Sequence, residues 1–374
     1  MEQLAVWTNI TDTERELLHH LARDMASDSP PDLPPLCRID LETADEEVLG
    51  LMPYVHGAYP EDAIAEPVRR IMRGLHDSFA ARNEALLTEA LSFIGRCNAA
   101  DIPIMLCTNE ALRLHYLKDF PKRIHDVDLL TSGSCFKRAR TLAAGVGFAW
   151  KKDVHSVSLW PKRDPAMQID LHHVLYKHHC VGAAREREES IWERSSEIHV
   201  QGAKVFLPAL EDIIVHLVTS ALGNMLSNCD RKHLKWMLDA FCLMNRYDVD
   251  WEKTRRIARE QGIALHYSLG LQLLDHLFPG MPDRRALEGA IPIPATTQER
   301  IHRYVHWKNR AGPLKLREKW YAHTLHRESG FAANLASFPR YMLTRCALDR
   351  FSFIPGDFFQ KLRTLRRRMT SSPD

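Results

Sequence analysis

Three common features are missing from this 374-residue sequence, and each absence excludes a class of protein. Its eight cysteines form no Cys-x-x-Cys pair, which argues against a zinc ribbon and against a disulfide framework. No apolar run approaches the ~20 residues that a membrane-spanning helix needs. The first nine residues contain no basic stretch followed by an apolar core, so we expect no secretion signal. A cytoplasmic protein with reduced thiols and no membrane span is the simplest expectation.

The net charge is only +2, but it is unevenly distributed. Residues 300–374 contain 16 Lys+Arg against five Asp+Glu, whereas acidic residues are in excess by nine in residues 1–299. The basic residues alternate with aromatic ones such as Trp320 and Phe358. Two interpretations stay open: this segment binds an anionic partner such as single-stranded nucleic acid, or it is a helical extension that packs its rings on the acidic remainder.

Hydrophobic periodicity divides the chain into four predicted regions. Residues 1–95 are predicted to be an N-terminal helical region, and residues 96–205 a core of strands, helices and a hairpin. A helical lobe is expected over 206–295, and a basic, aromatic-rich helical extension over 296–374. The predicted fold class is therefore α+β, with a small mixed-sheet core flanked by N-terminal and C-terminal helical regions.

The chemistry is concentrated in two predicted strands of the core. In Asp126-Val127-Asp128 the two carboxylates lie on one face, because side chains alternate along a strand. Gln168, Asp170 and His172 share one face of a later strand in the same way. If the two strands are neighbours, three carboxylates meet, and oxygen ligands of this kind suit Mg²⁺ in phosphoryl or nucleotidyl transfer.

These motifs resemble a known family. The segment from Ile104 to Leu130 looks like the polymerase-β-like nucleotidyltransferase superfamily, and most closely its branch of uncharacterised nucleotidyltransferases. In that branch a basic residue precedes the DxD motif by four positions, as Lys122 does, and Asp-Leu-His follows the hairpin, as at Asp170. The helical segments that begin at Leu207 and Leu234 also fit, so the resemblance covers roughly residues 95–275.

The resemblance implies an enzyme that transfers NMP from an NTP, with ATP among the candidates, to a hydroxyl of a small molecule, sugar, protein or RNA end. It implies that Asp126, Asp128 and Asp170 are catalytic and hold Mg²⁺ or Mn²⁺. Further predicted nucleotide contacts are Thr108, Asn109, Lys122, Arg123, His172, Lys235 and Asp239. Lys122 and Arg123 are interpreted equally as phosphate contacts or as partners of the carboxylates. Lys235 and Asp239, four residues apart on one helix, fit either a nucleotide contact or a surface ion pair.

One position departs from the family pattern. The superfamily usually has Gly-Ser, and this branch often Lys-Gly, where the first strand turns into a helix and the backbone approaches the triphosphate. Here the corner reads Thr108-Asn109-Glu110, and Glu110 brings negative charge to it. An alternative hypothesis is therefore a catalytically degenerate protein of this fold that acts as a nucleotide-binding or partner-binding scaffold.

Overall fold

The computed structural model describes residues 10–26, 44, 46–59, 64, 66–117, 124–152, 156–164, 167–176, 190–227, 234–261, 263–278 and 284–288. The chain divides into two compact units, Met1–Ile293 and Pro294–Asp374. The basic, aromatic-rich segment lies outside the described residues, so its two interpretations stay open. The four predicted region boundaries also stay predictions.

Seven strands and ten α-helices lie wholly within the described part. The strands are β1 Met105–Leu106, β2 Asp126–Leu130, β3 Phe148–Lys152, β4 Ser156–Pro161, β5 Gln168–His172, β6 Ser196–Val200 and β7 Ala203–Leu207. The helices are α1 Asp12–Ala26, α2 Glu46–Ala58, α3 Glu66–Ala99, α4 Thr108–Ala111, α5 Gly133–Gly145, α6 Leu210–Ser227, α7 Leu234–Arg246, α8 Trp251–Glu260, α9 Ala264–Leu277 and α10 Arg284–Leu287. A π-helical turn, Leu112–Tyr116, continues α4.

All seven strands form one mixed sheet in the order β3-β4-β5-β2-β1-β7-β6. The predicted hairpin is the antiparallel pair β4–β5, and the predicted DxD strand, β2, runs parallel to β5. A helix-rich chain around one mixed sheet confirms the α+β class. The sequence interpretation missed the hairpin β6–β7, which joins the sheet through the parallel pairing of β7 with β1.

One face of the sheet is apolar and covered by helices. Val127 and Leu129 of β2 and Ile169 and Leu171 of β5 are fully buried on this face. Helices α3 and α5 pack here, and the ring of Phe93 from α3 lies 5.5 Å from that of Phe148 at the sheet edge. Since side chains alternate along a strand, the polar residues of β2 and β5 lie on the opposite face.

The helical lobe is arranged around α6, against which α7, α8 and α9 pack. Helices α1 and α2 also pack against α7, so elements from the predicted first and third regions share one core. At the contact between α6 and α9, Gly270 allows the closest approach: a Cβ there would lie 2.4 Å from Cγ1 of Val218. Among the described residues, no helix is both long and apolar enough to cross a membrane.

Candidate active site

The strand pairing brings the predicted acidic residues together in rows on the polar face of the sheet. Asp128 of β2 lies directly opposite Asp170 of β5, and Ser158 of β4 lies opposite Asp170 on its other side. One row towards the start of β2, Asp126 lies opposite Gln168. The condition set by the sequence, that the two acidic strands be neighbours, is therefore met.

His172 completes the innermost group. Its Nε2 lies 2.7 Å from Oδ1 of Asp128, and the side chains are only 4% and 14% exposed. An ionised carboxylate only accepts hydrogen bonds, so the hydrogen of this contact is on Nε2. The residue that the sequence grouped with the nucleotide contacts therefore touches a predicted metal ligand directly.

Asp170 has its own polar neighbours. Nε2 of Gln168 donates to Oδ1 of Asp170 at 2.9 Å, and Nε1 of Trp160 donates to Oε1 of Gln168 at 3.3 Å. The sequence placed Gln168 on the face of Asp170 but assigned it no role, and it missed Trp160 entirely. The only signal was strand alternation, which tells the face of a residue but not its cross-strand neighbour.

The donor chemistry of this face suits a divalent cation. One ligand atom from each of Asp128, Asp170 and His172 lies within 4.8 Å of the other two. Two carboxylates at adjacent positions fit Mg²⁺ or Mn²⁺. Asp126 shares the face but is outside this close group, so the structure substitutes His172 for Asp126 in the predicted trio of neighbours.

The corner between β1 and α4 lies beside these residues, because the amide of Cys107 donates to the carbonyl of Asp128 at 3.0 Å. Thr108 is the first residue of α4. Oδ1 of the following Asn109 is buried and has no hydrogen-bond partner among the described residues. The carboxylate of Glu110 is fully buried, and Oε2 lies 3.1 Å from Nε of Arg113. A cation thus compensates the charge that distinguishes this corner from the family pattern.

The remaining predicted nucleotide contacts divide into two groups. Lys122 and Arg123 lie outside the described residues, so both interpretations of them stand. Asp239 on α7 is fully buried and accepts a hydrogen bond of 2.5 Å from the hydroxyl of Tyr54 on α2. The surface ion pair considered for Lys235 and Asp239 is therefore wrong, because a fully buried carboxylate is not at the surface. A nucleotide contact at Lys235 or Asp239 stays a prediction.

A buried ionic contact attaches the helical lobe to the core. Arg194, just before β6, holds Asp212 of α6 through two hydrogen bonds of 2.7 and 2.8 Å. Tyr176, which follows β5, donates to the same carboxylate at 3.1 Å. Burial, and then the charge of Asp212, raises the pKa of Tyr176, so this hydroxyl stays protonated as a donor. These contacts fix the lobe beside the strand that carries Asp170.

Comparison with known proteins gives a family match and a distant structural likeness. The model of the family described as "Uncharacterised nucleotidyltransferase" matches residues 44–279, and no curated protein matches the chain. The solution structure of the antibiotic-resistance factor ANT(2'')-Ia is similar at 13% identity and a TM-score of 0.33, over 50% of this chain and 97% of that one. A likeness this weak defines neither fold nor substrate.

The family match begins well before residue 95. The resemblance seen in the sequence covers roughly residues 95–275, whereas the family match starts at residue 44, so α2 and α3 belong to the matched part. The physical reason is the packing of α3 on the sheet and of α2 on α7, which makes both helices part of the core. Because the match spans more than half of the chain, this protein belongs to the uncharacterised nucleotidyltransferase family.

Proposed function

We propose that this protein is a Mg²⁺-dependent nucleotidyltransferase that transfers NMP from an NTP to a hydroxyl acceptor and releases pyrophosphate. The observation that carries the proposal is the register of β2 and β5, which sets Asp128 opposite Asp170 on the polar face of a family-matched sheet. The acceptor class stays broad: a small molecule, a sugar, a protein or an RNA end. Mn²⁺ is an alternative cation for the same oxygen ligands.

In this proposal the acidic residues divide the work between binding and proton transfer. Asp126, Asp128 and Asp170 would hold the metal, which when bound would neutralise phosphate charge and polarise the α-phosphorus. The acceptor oxygen bonds to the α-phosphorus while the bond to the bridging oxygen of the β-phosphate breaks. Asp170 receives the proton of the acceptor hydroxyl, for which a carboxylate within hydrogen-bonding reach is required.

Backbone and side chains at the rim would orient the triphosphate. Thr108 and Asn109 stand where β1 turns into α4, beside the strand of Asp128. The buried Oδ1 of Asn109 marks an amide side chain with unused hydrogen-bonding capacity at this corner. Lys122 and Arg123 would add positive charge for the phosphates, and Lys235 and Asp239 would contact the nucleotide from the helical lobe.

The scaffold hypothesis rests on the same corner. Its charge argument is weakened, because Glu110 is buried against Arg113 and does not present a bare carboxylate to a phosphate. The missing glycine still favours it, since a side chain at that position limits how closely the backbone approaches a ligand. The two hypotheses differ in whether a bound NTP is cleaved, which an assay can decide.

The direct assay supplies each of the four NTPs, labelled at the α-phosphate, with Mg²⁺ and a set of sugars, polyols and RNA oligonucleotides. We expect labelled NMP to appear on one acceptor class with stoichiometric pyrophosphate. Asp128→Asn should reduce the rate by about a thousandfold, because one cation ligand and its charge are lost. Asp248→Asn is the matched control, since its carboxylate is 92% exposed in the helical lobe.

Two outcomes would contradict this proposal, the first in its assignment of Asp128 and the second in its claim of an enzyme. Labelled product that persists in Asp128→Asn would contradict the role of Asp128. Magnesium-dependent NTP binding without pyrophosphate release, across all four nucleotides and all acceptors, would favour the scaffold.

A further inference from the structure

A chain of two hydrogen bonds crosses from β4 to β5 and ends on Asp170. The indole of Trp160 donates to the side-chain oxygen of Gln168, and the amide nitrogen of Gln168 donates to Oδ1 of Asp170. None of the family motifs quoted above contains Gln168 or Trp160. Both contacts lie on the polar face of the sheet, in line with the acidic residues.

The sheet geometry builds this chain. Gln168 and Asp170 are two residues apart on β5, so their side chains are neighbours on one face. Because Leu159 of β4 pairs with Ile169, the next residue along β4, Trp160, comes opposite Gln168. On the other side of Gln168 the register sets Asp126. The amide of Gln168 is thus held between an indole and the acidic face.

The amide has only one orientation that satisfies both neighbours. An indole N–H only donates and an ionised carboxylate only accepts. The oxygen of Gln168 must therefore face Trp160, and its NH₂ group must face Asp170. Trp160 consequently fixes which end of the Gln168 amide is presented to the carboxylate. The hydrogen-bonding chemistry of the indole and the carboxylate distinguishes the amide oxygen from the amide nitrogen.

As a result, each of the two opposing carboxylates of the site receives a hydrogen bond from one donor side chain. Asp128 and Asp170 are adjacent anions that repel one another until a cation lies between them. His172 contacts one oxygen of Asp128, and Gln168 contacts one oxygen of Asp170. Each donor offsets part of the repulsion and fixes the rotation of its carboxylate.

We propose that Gln168, oriented by Trp160, is a positioning residue that holds Asp170 in the geometry required to bind the divalent cation. This inference rests on the proposed function and deepens it, because it names how one ligand of that site is prepared. Residues that orient metal ligands typically change metal affinity by ~10–100-fold when they are replaced.

The experiment measures Mn²⁺ affinity of the full-length protein by electron paramagnetic resonance, with the metal alone as the probe. Gln168→Met keeps the length and volume of the side chain but removes the amide, and we expect it to raise the Kd for Mn²⁺ about tenfold. Trp160→Phe keeps a ring but removes the N–H, and we expect a rise of about threefold. The double variant should match Gln168→Met alone, because Trp160 acts through Gln168.

Trp150→Phe is the matched control for the loss of an indole. Trp150 lies on the neighbouring strand β3 but pairs with Leu159 in the apolar row, is 46% exposed, and has the guanidinium of Arg140 over its ring. The Kd of the Trp150→Phe variant for Mn²⁺ should equal that of the wild type. Circular dichroism and thermal unfolding of every variant separate a change in affinity from a loss of fold.

The possible failures are distinguishable. If Asp170→Asn loses Mn²⁺ while folded Gln168→Met binds it within twofold of the wild type, the positioning role is overturned and the proposed function stands. Additive effects of Gln168→Met and Trp160→Phe would overturn the chain of action from Trp160. If Gln168→Met does not fold, Trp160→Phe decides, and an unchanged Kd in that variant overturns the proposal. A wild-type protein that binds no Mn²⁺ overturns both the inference and the proposed function.

Discussion

His172 donates from Nε2 to Oδ1 of Asp128 across 2.7 Å, from the last residue of β5 to the middle of β2. In the register of the two strands His172 lies opposite Leu130, so the imidazole reaches back one row to meet Asp128. Both side chains are nearly buried, which strengthens a contact with an ionised group relative to one in water. The contact therefore ties the orientation of Asp128 to the neighbouring strand.

Replacing His172 should separate this hydrogen bond from direct metal binding. We expect His172→Ala to raise the Kd for Mn²⁺ about tenfold, because Asp128 loses the donor that orients it. His172→Gln offers an amide N–H at similar reach and should stay within about threefold of the wild type. Equal losses in the two variants would contradict the hydrogen-bonding role and would indicate that the imidazole itself ligates the metal.

The contact between Tyr54 and Asp239 predicts how strongly α2 is bound to the helical lobe. Tyr54→Phe should lower the free energy of unfolding by about 2 kcal/mol, since a buried carboxylate loses a hydrogen bond. Tyr267→Phe is the matched control, because that hydroxyl donates to the neutral Thr254 at 2.8 Å in an equally buried place. The free energy of unfolding of Tyr267→Phe should fall by only about 1 kcal/mol. Chemical denaturation that ranks the two variants in the reverse order would contradict a charged acceptor at Asp239.

The sequence predicted those parts of the fold that depend on local rules. At the start of α1 the backbone N–H of Thr11 donates to Oε2 of Glu14 and the N–H of Glu14 donates to Oγ1 of Thr11, which is the capping box typical of a Thr-x-x-Glu sequence. Strand alternation likewise predicted the polar face of β2 and β5. To predict that β2 pairs with β5, we had to assume that the two acidic strands are neighbours, and the family resemblance supported this assumption.

Long-range contacts explain what the sequence could not give. Trp160 reaches Gln168 because β4 and β5 pair in a particular register, and no local pattern reports that register. Tyr54 and Asp239 are 185 residues apart, so the burial of Asp239 was invisible in a helix that also fits a surface ion pair. The hairpin β6–β7 did carry a local signal, since Ile198 and Val200 alternate with polar residues before the turn at Gln201-Gly202, but no residue of β6 is buried.

Gly270 should be intolerant of any side chain. An added Cβ would lie 2.4 Å from Cγ1 and 2.7 Å from the carbonyl oxygen of Val218, so α6 and α9 would have to separate. We expect Gly270→Ala to cost about 2–3 kcal/mol in thermal unfolding. Gly74→Ala on α3 has open space around its Cβ and should stabilise by about 0.5–1 kcal/mol, because alanine favours helix. A Gly270→Ala variant that is as stable as the wild type would contradict the close packing of α6 against α9.

Stability should fall at alkaline pH partly through Cys97. Burial raises the pKa of this thiol from 9.0 to about 12, so the folded protein disfavours the thiolate that the unfolded chain forms. The contribution is fully present below pH 9 and is lost as the pH rises from 9 towards 12. Between pH 8 and 10.5 the wild type should lose about 1–2 kcal/mol more than Cys97→Ala. Urea titrations with parallel losses in both proteins would contradict the burial of this thiol.

The most direct test of the whole account is a calorimetric titration of a non-hydrolysable NTP with and without Mg²⁺. We expect the wild type and Asp248→Asn to bind one nucleotide in a Mg²⁺-dependent manner, and Asp128→Asn and Asp170→Asn to lose the dependence on Mg²⁺, because the two carboxylates opposite one another supply the cation ligands. Nucleotide binding by the wild type that is indifferent to Mg²⁺, or Mg²⁺-dependent binding that survives in folded Asp128→Asn and Asp170→Asn, would contradict the assignment of this face as the site of nucleotidyl transfer.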